Sequence, residues 1–209
     1  MKQRKRPIII EFTGTPYSVK TQVIEILDRH LRRKDLKIMV VPESANLIRV
    51  FDRKKYISEV RLFLLNLTNL LDIINENRFD IAFFDRGIVD SFFWAIFRHK
   101  KDKKLTQNKL NKISSFILFE DWMNEIDLIF NLICDPEEAF LRKEKITLEK
   151  NNIKSPFDDK NFYLELHSIF SNQHEALGFI QDKLITINTT NLNKKEVALK
   201  IISYIEKFL

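Results

Sequence analysis

Five short apolar runs, each closed by a turn and each paired with a stretch of apolar residues at helical spacing, divide this chain into repeating strand–helix units. The first, Ile8 to Phe12, ends in Thr13-Gly14-Thr15-Pro16, after which Val23, Ile24, Ile26, Leu27 and Leu31 recur on one helical face. Lys37 to Val41 is the second run, followed by Pro42 and a helical pattern from about Ala45 to Asn77 with a break near Asp52 to Lys55. Asp80 to Phe84 is the third; Asp85-Arg86-Gly87 turns into an aromatic-rich helix from Ile88 to Phe97. A charged loop from Arg98 to Lys104 leads to an amphipathic helix over about Gln107 to Asn124, and then to the strand Leu128 to Ile133. The next helix opens at Pro136-Glu137-Glu138, where a proline in the first turn with acids behind it is a start signal. A helix over about Asp159 to Phe179, the strand Leu184 to Asn188 and a helix from Lys194 to Phe208 complete the pattern. Alternation of this kind predicts an α/β fold with three layers, a five-stranded parallel sheet carrying helices on both faces. In such sheets ligands bind where loops leave the carboxyl ends of the strands.

A length of 209 residues with 44% hydrophobic content suffices for one sizeable core, and no linker, repeat or low-complexity stretch argues for a second, so residues 1–209 read as a single domain. Charged residues of both signs make up 31% of the chain, no apolar run is long enough to span a bilayer, and the apolar stretch after the basic Met1 to Arg6 is too short for a signal peptide. The expectation is a cytoplasmic protein without a membrane partner. One cysteine, Cys134, permits no internal disulfide, and His30, His99, His167 and His174 form no metal-ligand pattern. The net charge is +6, but lysines and arginines are dispersed instead of forming a stripe. That distribution favours small phosphorylated ligands over nucleic acid.

The loop after the first strand reads Gly14-Thr15-Pro16-Tyr17-Ser18-Val19-Lys20-Thr21. It matches the phosphate-binding pattern G-x-x-x-x-G-K-[ST] at each fixed position except the second glycine, where Val19 stands. In that pattern backbone N–H groups and a helix N-terminus cradle phosphates, the lysine reaches the β and γ oxygens, and the following hydroxyl binds Mg²⁺. Taken alone, the octapeptide also fits an ordinary strand-to-helix turn. The chain has three glycines where average usage would give about fourteen. Two of them, Gly14 and Gly87, follow predicted strands, so those turns are expected to need positive φ or close backbone approach.

These residues resemble the P-loop nucleoside and nucleotide kinases, a family that includes thymidylate kinases and deoxynucleoside kinases. Glu11 to Pro16 looks like the family's first strand and loop, and Val41-Pro42-Glu43-Ser44-Ala45 like the segment carrying an acid after the second strand. Asp85-Arg86-Gly87 with Asp90 is similar to the third-strand motif. Asp135 to Ala139 through Arg142 looks like the opening of a helical lid over about 136–158, and Tyr163 to His167 like the helix after it.

The resemblance implies the P-loop NTPase fold and an enzyme that moves the γ-phosphoryl group of ATP, with Mg²⁺, to a small acceptor, a nucleoside or nucleotide. Residues 14–21 would hold the donor, with Lys20 on the phosphates; Thr21 and Asp85 would form the metal shell. Glu43 would sit by the acceptor and serve as general base toward a hydroxyl, or else cap the following helix. Arg86 would contact phosphates, or else form an internal pair with an aspartate. Arg142, Lys143 and Lys145 would bring cations to the lid or form a solvated helix face. Of Phe92, Phe93, Trp94 and Phe97, at least two are expected in the core. Tyr17 would cover the nucleotide or lean on the acceptor. The long helices after the second and third strands can build a homodimer interface or be covered by their own domain.

Val19 is the departure from this pattern. If its position requires positive φ, a β-branched residue adds roughly 1–3 kcal/mol of strain; a Cβ turned into the phosphate site would be worse. A catalytically impaired kinase-like binding or regulatory protein is therefore the second reading. A nucleic-acid binder using Lys2 to Arg6 and the Arg98 to Lys104 loop is the third.

Overall fold

The computed structural model describes residues 6–47, 56–76, 78–101, 103–149, 159–172 and 175–209. In chain order the elements are β1 (Ile8–Gly14), α1 (Lys20–Arg32), β2 (Ile38–Val41), α2 (Ser44–Leu47), α3 (Tyr56–Ile74), β3 (Ile81–Asp85) and α4 (Ile88–Lys101). There follow α5 (Gln107–Ile117), α6 (Glu120–Met123), β4 (Leu128–Ile133), α7 (Pro136–Glu149) and α8 (Lys160–Asn172). A 3₁₀ segment (Glu175–Lys183), β5 (Leu184–Asn188) and α9 (Lys194–Ile205) complete the fold.

The strands form one parallel sheet in the order β2-β3-β1-β4-β5, so β1 lies at its centre with β3 and β4 on either side. Registers such as Phe12 opposite Asp85 and Gly14 opposite Leu132 bring the ends of β1, β3 and β4 to one edge. Strand period divides the core in two. Ile9, Ala82, Phe84 and Ile129 face α3, α4, α5 and α8, whereas Ile8, Ile10, Phe12, Phe83 and Phe130 face α1 and α9. Both faces of the sheet are therefore covered, which is why the strands read as near-continuous apolar runs. Burying each of these large side chains contributes roughly 1.5–3 kcal/mol.

The long helix expected over 45–77 is seen as α2 and α3; residues 48–55, which include its expected break at 52–55, lie outside the described residues, as do 150–158 at the end of the proposed lid. Arg98 to Lys101 are not loop but the last turn of α4. Basic side chains suit a helix C-terminus, and Arg98 and Lys101 are anchored to Glu59 and Glu165. The helix expected over 107–124 is interrupted at Phe119, whose backbone is extended (φ −67°, ψ 138°). The Trp122 indole N–H, donating to the carbonyl of Ile117, holds the two pieces across the break. The helix expected to reach Phe179 ends at Asn172; beyond it the 3₁₀ segment kinks at Gly178 (φ 53°, ψ −121°). Among the described residues no helix is long and apolar enough to cross a membrane.

Candidate functional site

The loop from Gly14 to Thr21 leaves the central strand and wraps into the N-terminus of α1. Gly14 has φ 130°, and a Cβ on it would lie 1.9 Å from the Leu132 carbonyl oxygen, so β1 can pass β4 here only as glycine. Thr15 is buried; its hydroxyl accepts the Cys134 N–H and its own N–H donates to Leu132 O, pinning the loop to β4. Ser18 is buried and donates to Thr15 O at 2.8 Å. Tyr17 and Val19 both adopt left-handed conformations, with φ 59° and 64°. The position of Val19 thus does require positive φ. Its side chain lies against the core on the α1 and α9 face, and that packing is what offsets the strain.

Lys20 is buried beneath the loop. Its ammonium donates to Gly14 O (3.1 Å), Thr15 O (2.6 Å) and Ser18 Oγ (3.1 Å). Burial, with help from the neighbouring Arg86 charge, lowers its pKa to about 7. Thr21 reaches across to β3, its hydroxyl donating to Asp85 Oδ2 at 2.6 Å. The other carboxylate oxygen of Asp85 is buried with no hydrogen-bond partner among the described residues.

The second half of the site is built on the turn after β3. Arg86 is left-handed (φ 66°), with its N–H bound to Phe12 O. Its guanidinium pairs through Nε with Glu43 Oε1 (2.9 Å) and through Nη1 with both oxygens of Asp90 (3.1 Å each). Burial alone would lower its pKa, but the carboxylates of Asp90, Glu43 and Asp85 outweigh it and hold the group above its ordinary value. Arg86 thus forms an internal ion pair, but with Asp90 and not with Asp85 beside it in sequence, and the same guanidinium also holds Glu43.

Beneath this turn lies Glu11 of β1, a lone acid in an apolar strand. Its carboxylate accepts the N–H groups of Gly87, Val89 and Asp90 at the start of α4. A Cβ on Gly87 would come within 2.6 Å of that carboxylate, so Gly87 serves a close approach and has no positive φ. Burial raises the Glu11 pKa to about 7 against the opposing N–H bonds. Thr13, two residues on, donates to Asp90 Oδ1 at 2.8 Å.

Pro16 to Thr21, Glu43, Asp85, Arg86 and Arg142 line one cleft of about 900 Å³ above this strand edge. Trp94, Lys145 and the loop Thr190 to Lys194 also contribute to its wall. Arg142 is more committed than a free lid cation. Nε pairs with Glu138, Nη1 donates to Tyr17 O and Nη2 to the carbonyls of Thr189 and Thr190, so it ties α7 to the Gly14–Thr21 loop and to the loop before α9. Lys143 is buried with its ammonium 5.1 Å from the Phe140 ring centroid and does not line the cleft. Tyr17 leans on Tyr163 of α8, ring centroids 6.2 Å apart. Phe92, Phe93 and Phe97 are core residues, and Trp94 alone of the four reaches the cleft.

Sequence reasoning did not single out Glu11 as a site residue, nor Thr189, Thr190 and Lys194. Glu11 carried a signal, an acid inside a strand buried on both faces; the others carried none. Among the described residues no group of three or more His, Cys, Asp or Glu side chains is placed to hold a metal ion. Thr21 and Asp85 fit a cation of a different sort, a hard ion such as Mg²⁺ that takes few protein oxygens and completes its shell with water and phosphate. The orphaned Asp85 oxygen is the observation that supports this fit. No protein-family model matches this sequence, and no curated protein matches it.

Proposed function

We propose that this protein is an ATP-dependent phosphotransferase of the P-loop kinase type, acting on a nucleoside, a nucleotide or a similar small acceptor. The observation that carries the reading is the convergence of Lys20, Thr21 and Asp85 at the end of the central strand, with a hydrogen bond of 2.6 Å joining Thr21 to Asp85. The loop backbone and the N-terminus of α1 orient anionic oxygens. Lys20 supplies the cation from within the loop, exchanging its bonds to loop oxygens for bonds to phosphate. Thr21 and Asp85 would hold Mg²⁺, which supplies charge neutralisation on the phosphoryl oxygens. Glu43, fixed by Arg86, stands on the same cleft wall and would accept the proton of a hydroxyl acceptor. Arg142 ties the lid helix to the loop and so limits water at the donor end.

The second reading, a kinase-shaped binding or regulatory protein with impaired turnover, draws on Val19, a β-branched residue that lines the cleft and holds a left-handed backbone conformation. Calorimetric titration with ATP and Mg²⁺, followed by a screen of nucleosides and nucleoside monophosphates for phosphoryl transfer, separates the two. Binding with transfer supports the enzyme; binding without transfer to any acceptor supports the second reading. Failure to bind ATP at millimolar concentration by the folded protein would exclude the first.

A further inference from the structure

Asn66 lies in the middle of α3, buried among apolar neighbours and remote in sequence from both halves of the cleft. A buried amide is costly unless its donors and acceptor are used. Its Nδ2 donates to the Gly87 carbonyl at 2.9 Å, and its Oδ1 accepts from the hydroxyl of Ser44, which is also buried. The orientation follows from chemistry: a carbonyl can only accept, so the amide nitrogen must face Gly87 and the oxygen must face Ser44.

Both partners adjoin residues of the cleft. Ser44 follows Glu43, and Gly87 follows Arg86, the two members of the 2.9 Å ion pair. Gly87 is held on its other side by Glu11, and its carbonyl also accepts from the Ser91 hydroxyl at 3.1 Å. Arg86 itself is left-handed, a conformation that a non-glycine residue keeps only where its surroundings over-determine it. We propose that Asn66 is a positioning residue that sets the Glu43–Arg86 pair, by bonding at once to the residue after each of them. How the pair is held does not depend on the reaction; what the pair does rests on the phosphotransferase reading.

The test uses the full chain labelled with ¹⁵N. Hydrogen exchange of the Arg86 Nε–H, assigned by its disappearance in Arg86→Lys, reports the pair directly. The Arg98 Nε–H, bonded to Glu59 at 2.8 Å elsewhere on α3 and α4, serves as the internal control. In Asn66→Ala the Arg86 signal should exchange at least about tenfold faster while Arg98 keeps its rate. An Arg86 rate within about twofold of wild type, or an equal acceleration of both arginines, overturns the proposal. If Asn66→Ala does not fold, Ser44→Ala is measured in the same way, and an unchanged Arg86 rate there overturns it equally. Transfer from ATP to nucleosides is followed on the same samples, where a fall in kcat at unchanged KM for ATP in the variant links the pair to turnover. Absence of transfer in the wild type overturns the phosphotransferase reading alone, and the exchange rates still decide the role of Asn66.

Discussion

Thr21 and Asp85, 64 residues apart, meet through one hydrogen bond of 2.6 Å that joins the first turn of α1 to the end of β3. The bond uses one carboxylate oxygen and leaves the other buried without a partner among the described residues. A buried carboxylate oxygen with nothing to accept from is costly, and such groups cluster where a ligand supplies the missing partner.

On the phosphotransferase reading, Asp85→Asn should therefore lower Mg²⁺-dependent turnover by about a hundredfold or more while the fold survives, because the anionic oxygen that would hold the cation is lost. Steady-state kinetics with urea unfolding on the same variant checks this. Full activity would take Asp85 out of the metal shell.

Val19 is left-handed in the folded chain, so its strain is released on unfolding and is read first in stability. Val19→Gly and Val19→Ala both lose the two γ methyls and glycine loses the Cβ as well, but only glycine escapes the strain of roughly 1–3 kcal/mol. Against glycine's usual entropic handicap of about 0.5–1 kcal/mol, the glycine variant should still be the more stable by about 1 kcal/mol. Chemical denaturation of the pair tests it, and an alanine variant of equal or greater stability refutes the strain.

Lys20 has a pKa lowered to about 7, chiefly by burial. Above that pH the amine is mostly neutral in the folded chain, and on the phosphotransferase reading a phosphate bound against it would restore the charged form. ATP binding should then take up close to one proton at pH 8 and only about a tenth of one at pH 6. Calorimetry in two buffers of different ionisation enthalpy measures the uptake, which Lys20→Ala should abolish together with turnover.

Glu11 has its pKa raised to about 7, first by burial. A raised folded value means that the folded state holds the proton more tightly between about 4.5 and 7. Its contribution to stability is fully present below that window and is lost as pH rises through 7. The loss amounts to roughly 3 kcal/mol in order of magnitude. Glu11→Gln should flatten that part of the stability profile, as followed by urea midpoints from pH 4.5 to 8.

The strands and the loop were legible because their signals are local. An apolar run of four to six residues buried on both faces, a glycine after it and a lysine–threonine pair at fixed spacing need no long-range information. The motif also raised positive φ at Val19 as a condition, because a glycine is usual there, and the folded chain meets it with φ 64°. Boundaries were less legible. Arg98 to Lys101 read as part of a charged loop, and in the fold they extend α4, where Arg98 and Lys101 pair with Glu59 and Glu165 of other helices.

Read alone, the sequence established an α/β alternation, a glycine-led loop ending in Lys20-Thr21 after the first strand and a set of charged residues at strand ends, because each of these follows from periodicity and turn chemistry within a few residues. Which charges meet was set by the packing of the strands. Placing β1 between β3 and β4 brings Thr21 to Asp85, Glu11 beneath Gly87 and Arg86 to both Glu43 and Asp90. It also turned Arg142 from a free lid cation into a tie among three segments. Ion pairing and hydrogen bonding act over a few ångströms in space, so strand order, which no local pattern encodes, chose the partners.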